Sequence, residues 1–192
     1  MFLGRSDETA ILNKYYESGE NSLIVLYGRT GIGKTSLIKN FAKDKPFFYY
    51  CSAQASDRHQ ISIFTEAVKN QIGFYSVDEQ KDIDVLNYDA LFSLTKRIPG
   101  DMKLVIIDEF QNIIKQNKDF MDSVIKLADG ELFGEKVMVV LLSSSISWIE
   151  NGLVSSIGAS ALKITEFIKL KELSFVDTVR MFPGYSVPDS MM

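Results

Sequence analysis

The eight residues Gly28-Arg29-Thr30-Gly31-Ile32-Gly33-Lys34-Thr35 carry the spacing G-x-x-x-x-G-K-[ST], a Walker A phosphate loop. Glycines let a chain turn tightly enough for successive backbone N–H groups to face one phosphate, with the positive end of a following helix beneath it. Lys34 is then placed to reach the β- and γ-phosphates, and the Thr35 hydroxyl to ligate Mg²⁺. Ser36 carries the phosphate-binding run into the helix.

A second set follows further on. Leu104-Val105-Ile106-Ile107 ends in Asp108-Glu109, a Walker B pattern. Two adjacent carboxylates after four buried apolar residues are costly unless a cation or a donor meets them. Asp108 would hold the Mg²⁺ water shell opposite Thr35, and Glu109 is placed to polarise a water for in-line attack on a γ-phosphate. A helix cap or a turn is the other role open to such acids. Ser143-Ser144-Ser145 follows another apolar run, where a polar side chain such as Ser144 can bond the γ-phosphate or the attacking water; serines also simply end strands. Leu3 and Arg5 lie in an N-terminal segment able to fold against an adenine, the alternative being a core leucine and a surface arginine. His59 reads as solvent-exposed and Cys51 as a small apolar packing group.

Positioning these groups requires strands that empty onto one edge. Leu23–Tyr27 precedes the glycine loop, and Ser36–Ala42 after it has helical apolar spacing. Phe47–Cys51 reads as a strand covered on both faces, Leu104–Ile107 as a third, Val137–Leu142 as a fourth, and the alternating Ile164–Leu170 as an edge strand. Between them the apolar stripes predict helices: one after a Ser6 N-cap with Ile11, Leu12, Tyr15 and Tyr16, one from Ser56-Asp57 to Gly73, one from Asn87 to Pro99-Gly100, one from Asp119 to Gly130, and a short one from Ser174 to Phe182. Ser76–Asp84 reads as a polar loop. Strands alternating with helices imply an α/β fold with a parallel sheet wound on both faces, whose ligands gather at the carboxyl ends of the strands.

The chain's 192 residues suffice for one sizeable domain with a proper core. A net charge of −4 argues against nonspecific coating of DNA. One cysteine and one histidine allow neither an internal disulfide nor a Cys/His zinc set. The longest apolar run, Val137–Leu142, is too short to span a bilayer and no charged-then-apolar leader opens the chain, so a cytoplasmic protein with no membrane partner is expected.

With Phe2-Leu3-Gly4-Arg5, Tyr27-Gly28-Arg29, Asp108-Glu109-Phe110-Gln111 and Leu142-Ser143-Ser144-Ser145-Ile146-Ser147 together, the chain resembles the archaeal-type AAA+-related P-loop ATPases of the ASCE division, often placed with the STAND signal-transduction ATPases. The resemblance covers nearly the whole chain. It implies a three-layer αβα domain with a five-stranded parallel sheet in the order 5-1-4-3-2, ATP and Mg²⁺ as ligands, and Glu109 as the water-activating residue. It also marks departures: relatives commonly have glycine at the position of Ser143, and an arginine near Ile157–Ser160, where this chain has none. Relatives continue after a segment like Phe182–Ser186 into a helical lid and a winged helix. Residues 1–192 are therefore expected to be the AAA+-like ATP-binding core, either of a longer protein or of a shortened member.

The function expected on these grounds is Mg²⁺-dependent ATP hydrolysis, slow in isolation because an absent arginine finger costs about 10³–10⁵ in rate, with nucleotide state driving a conformational switch. The alternative is a nucleotide-gated module that contacts an unknown protein partner, or further copies of itself, with little turnover. A P-loop kinase would need basic lid residues over its acceptor. Nucleic-acid contact would fall to a winged helix outside these residues.

Overall fold

The computed structural model describes residues 4–73, 87–132 and 134–180. Phe2, Leu3, the expected loop from Ser76 to Asp84 and the segment Phe182–Ser186 lie outside them. Five strands, β1 (Ser22–Tyr27), β2 (Phe47–Cys51), β3 (Met102–Asp108), β4 (Lys136–Ser143) and β5 (Glu166–Lys169), form one sheet in the order β2-β3-β4-β1-β5. Every pairing is parallel. Read from the other edge this is the expected 5-1-4-3-2.

The alternation of side chains along each strand divides the core in two. Val25, Val105, Ile107, Val139 and Leu141 face α3 (Asp57–Ile72), α4 (Tyr88–Leu94) and α6 (Phe120–Ala128), meeting Phe64, Val68, Phe92, Phe120 and Val124. Ile24, Leu26, Leu104, Ile106, Val140 and Leu142 face α1 (Ser6–Glu17) and α2 (Lys34–Ala42), meeting Leu12, Leu37, Ile38 and Phe41. Helices cover both faces, so the central strands β1 and β3 are buried at every position. This is why they read as continuous apolar runs.

Three expectations need adjusting. The aromatic strand β2 is an edge strand rather than one covered on both faces: Phe48 and Tyr50 are buried, while Phe47 is 37% exposed and Cys51 is exposed rather than packed as an apolar group. The cap of α1 is Arg5, not Ser6, whose hydroxyl instead meets the Asp7 carboxylate. Residues after β3 and β4 form short helices that apolar periodicity did not predict, namely α5 (Gln111–Ile114), α7 (Ile146–Asn151) and α8 (Leu153–Ile157). By contrast, Asn87 caps α4 as expected, its Oδ1 accepting from the Ala90 N–H at 2.9 Å. The last helix described, α9, spans Phe175–Arg180.

Candidate active site

The carboxyl ends of β1, β3 and β4 lie side by side, and the expected site residues follow them directly. Tyr27 is in register with Ser143, and Cys51 with Asp108. The ladder continues past the strands: Gly28 N–H donates to Ser143 O (3.2 Å), Ser52 N–H to Asp108 O (3.0 Å), and Phe110 N–H to Leu142 O (3.1 Å). The phosphate-loop turn and the acidic pair are therefore hung from the same rigid sheet.

In the loop, Gly31 and Gly33 have positive φ (80° and 99°), and Gly33 is the N-cap of α2. A side chain at either position would be strained, which is why the spacing calls for glycine there. Lys34, only 5% exposed, donates to Gly28 O (2.8 Å) and Arg29 O (3.1 Å). Burial lowers its pKa, and the charges of Glu109 and Asp108 act in the opposite direction. Arg29, Thr30, Gly31 and Ser36 are exposed, and Ile32 packs against the α1–α2 core. Arg5 is buried, donating to Ile32 O (3.0 Å) and pairing with Glu8 (3.2 Å). It thus braces the outer turn of the loop from the start of α1.

Asp108 is held at both oxygens. Its Oδ2 accepts from Thr35 Oγ1 (2.9 Å) and Tyr49 OH (2.8 Å), and its Oδ1 from the Glu109 N–H (2.9 Å). Burial, with the Asp108 carboxylate beside it, raises the Tyr49 phenol far above its usual pKa, so it remains a donor. The oxygens of Thr35 and Asp108 are the hard donors Mg²⁺ favours, and Mg²⁺ is usually held by one or two carboxylates together with phosphates and water. The pair fits that ion.

Glu109 has φ 55°, the one non-glycine positive φ among the described residues. Ser52 Oγ donates to its carbonyl at 2.6 Å. Ser144 Oγ (2.6 Å), Ser144 N–H (3.2 Å) and Gln111 Nε2 all donate to its Oε2. Burial disfavours the carboxylate, but the bonds from Ser144 and Gln111 and the Lys34 charge outweigh it and leave its pKa below the usual range. Ser143 is buried, with its Oγ accepting from the Ser145 N–H. Of the expected serines it is Ser144 that reaches the acidic pair.

The sequence profile of an ATPase domain predominantly from Archaea matches residues 2–187. The chain belongs to this family. Among relatives of the archaeal ATPase domain, the protein MJECL04 of Methanocaldococcus jannaschii is 28% identical over 183 residues, covering 95% of this chain and 38% of its own length. The Walker-type ATPase PABY2304 of Pyrococcus abyssi superposes with a TM-score of 0.71 at 14% identity, over 93% of this chain and 56% of its own. The ORC2 protein of Aeropyrum pernix, solved as ADPNP–ADP complexes, gives 0.57 at 16% identity, over 88% of this chain and 49% of its own. At such identities these structures establish the fold alone, which the chain shares with Walker-type ATPases. The chain spans well under two thirds of the length of each of these proteins.

Two members of the site in this ATPase domain, Tyr49 and Ser52, lie outside the sequence motifs, and the motifs assign no role to Gln111. Once β2 is placed beside β3, a period of two puts Tyr49 on the face of Ile106 and Asp108, whereas Ser52 follows the strand and no sequence signal marks it. A cavity of about 530 Å³ lined by Asn21, Lys103, Asp129 and Glu135 lies at the amino ends of the strands, away from this site. There Lys103 is fully occupied by Ile98 O, Gly100 O and Glu135.

The first residue of the loop is constrained by packing as well. A Cβ on Gly28 would lie 2.8 Å from Leu170 O and 3.1 Å from Leu170 Cβ, just beyond β5. Because Leu170 N–H is bonded to Tyr27 O (2.7 Å), that backbone cannot retreat without breaking the ladder. Gly28→Ala is expected to cost about 1–3 kcal/mol of stability, read as a lowered thermal midpoint; an unchanged midpoint would show that the edge strand yields freely.

Proposed function

We propose that this domain binds ATP with Mg²⁺ on the loop Gly28–Ser36 and hydrolyses it, and that the state of the bound nucleotide sets the conformation of the domain. The observation that carries this reading is the convergence of Thr35 and Tyr49 on one Asp108 oxygen, with Glu109 beside it. When bound, Mg²⁺ would neutralise charge on the β- and γ-phosphate oxygens. Thr35 and Asp108 would hold it, Lys34 would exchange its bonds with Gly28 O and Arg29 O for phosphate oxygens, and Arg5 would keep the loop in place. Glu109, below its usual pKa, is ionised at neutral pH and so able to accept a proton from water. Residues 1–192 act on this reading as an AAA+-like ATP-binding core.

Phosphate release from ATP, measured with Mg²⁺ and again with excess EDTA, tests it. Release is expected only with the metal; none with Mg²⁺, or equal release in EDTA, would sink the proposal. A partner-facing output is favoured by Val154 and Leu162, which are 63% and 88% exposed on the segment following Ser144. Hydrogen exchange over residues 146–163 should differ between the ADP state and a non-hydrolysable ATP state, since a ligand shifts a conformation only by binding its states unequally.

Ser144→Ala removes a donor to Glu109 Oε2, so the pKa of Glu109 should rise. A base whose pKa rises loses its proton later, so the acid limb of the rate profile should move to higher pH. An unmoved limb would detach Ser144 from the carboxylate's ionisation.

A further inference from the structure

The ending Asp108-Glu109-Phe110-Gln111 leaves Gln111 without a role in the chemistry described so far. This residue opens α5 and is 5% exposed. Its Nε2 donates to Glu109 Oε2 and lies 3.5 Å from Ser144 Oγ. Its Oε1, however, is buried and has no hydrogen-bond partner. A desolvated acceptor left unpaired is a cost to the fold. Two other such atoms occur among the described residues, on Ser22 and Asp89, both away from the acidic pair. The orphan on Gln111 belongs to a side chain already bonded to Glu109.

The amide cannot be reversed without bringing its carbonyl oxygen against the Glu109 carboxylate, so the donor side is fixed and the acceptor side is the one left over. The three donors to Glu109 converge on Oε2, leaving its Oε1 without a protein partner among the described residues. The site therefore offers two unpaired acceptors on residues bonded to each other. Two such acceptors, one for each O–H, would orient a water so that a lone pair points at the phosphorus, the task of a water-positioning residue in phosphoryl transfer.

We propose that Gln111 is a catalytic residue whose Oε1 accepts one hydrogen of the attacking water while Glu109 Oε1 accepts the other. The water oxygen forms a bond to the γ-phosphorus, the bond from that phosphorus to the β,γ-bridging oxygen breaks, and ADP leaves with the electron pair. The proton of the O–H directed at Glu109 passes to that carboxylate, giving ADP and inorganic phosphate. The inference rests on the hydrolytic reading above.

Gln111→Met keeps the length of the side chain and removes both amide heteroatoms; Gln111→Leu serves as a second variant. Phosphate release, ATP affinity and the thermal midpoint are measured on the full chain beside the wild type. Turnover is expected to fall about 10- to 100-fold, with the Kd for ATP within about twofold and the midpoint within about 4 °C of wild type. Turnover within twofold of wild type in either folded variant would overturn the role of Gln111. So would a loss of turnover that comes with a proportionate loss of ATP affinity or a larger fall in midpoint. A wild-type chain that releases no phosphate from Mg²⁺-ATP would overturn the hydrolytic reading and this inference together, so the two failures are distinguishable.

Discussion

Glu109→Gln is expected to lower ATP turnover by about 10²- to 10⁴-fold, the usual contribution of a positioned general base, while ATP binding persists. The substitution is nearly isosteric, and its carbonyl oxygen can still accept from Ser144 Oγ and N–H as Glu109 Oε2 does. What disappears is the ability to take a proton. Because the side chain at 109 does not hold the loop, Lys34, Thr35 and Asp108 remain in place, and Mg²⁺-ATP should stay bound and unhydrolysed. Phosphate release and ATP affinity separate the two effects. Release at the wild-type rate would remove Glu109 from the chemistry, and loss of binding would make it a structural residue instead.

Lys34→Ala should act earlier, on binding itself. The ammonium is buried against Gly28 O and Arg29 O and close enough to Asp108 and Glu109 to feel both charges. Its removal leaves two carboxylates without their nearby cation and takes from the phosphates their one buried positive side chain in the loop. The expected loss in kcat/KM is on the order of 10²–10³, comparable to removing one preorganised donor to a developing charge, with weaker ATP binding accounting for part of it. Titration with a fluorescent ATP analogue checks the binding component. A Kd within twofold of wild type would mean that Lys34 keeps to the loop carbonyls and does not reach phosphate.

The sequence and the structure agree best where backbone demands were most specific. The spacing of Gly28, Gly31, Gly33 and Lys34 encodes a turn that few other residues can make, and the strands β1, β3 and β4 are apolar along their middles because helices cover both sides of them. Together these made the loop, the acidic pair and the parallel sheet legible, while the strand order came only with the family resemblance. Edge behaviour was harder to read. An aromatic run such as Phe47–Cys51 has the same composition whether one face or both are covered, so the exposure of Cys51 and the turn of Tyr49 towards Asp108 emerge only from the strand's place in the sheet. The short helices after Asp108 and Ser143 were missed because four to six residues are too few to display a helical period. The partners of the Glu109 carboxylate, Gln111 and Ser144, come from two separate segments of the chain, and their meeting depends on the register of β3 with β4.

The left-handed backbone at Glu109 has an energetic consequence. A residue with a Cβ in that conformation costs about 1–2 kcal/mol relative to right-handed geometry, and such strain persists only where surrounding bonds overdetermine it. Here the bonds at its carbonyl from Ser52, at its N–H to Asp108, and from the following Phe110 N–H to Leu142 O do so. Global stability is thus spent on aiming one carboxylate. A glycine at this position would relax the chain and remove the carboxylate in the same step, so selection for thermostability alone would drift away from the residue on which the proposed turnover depends.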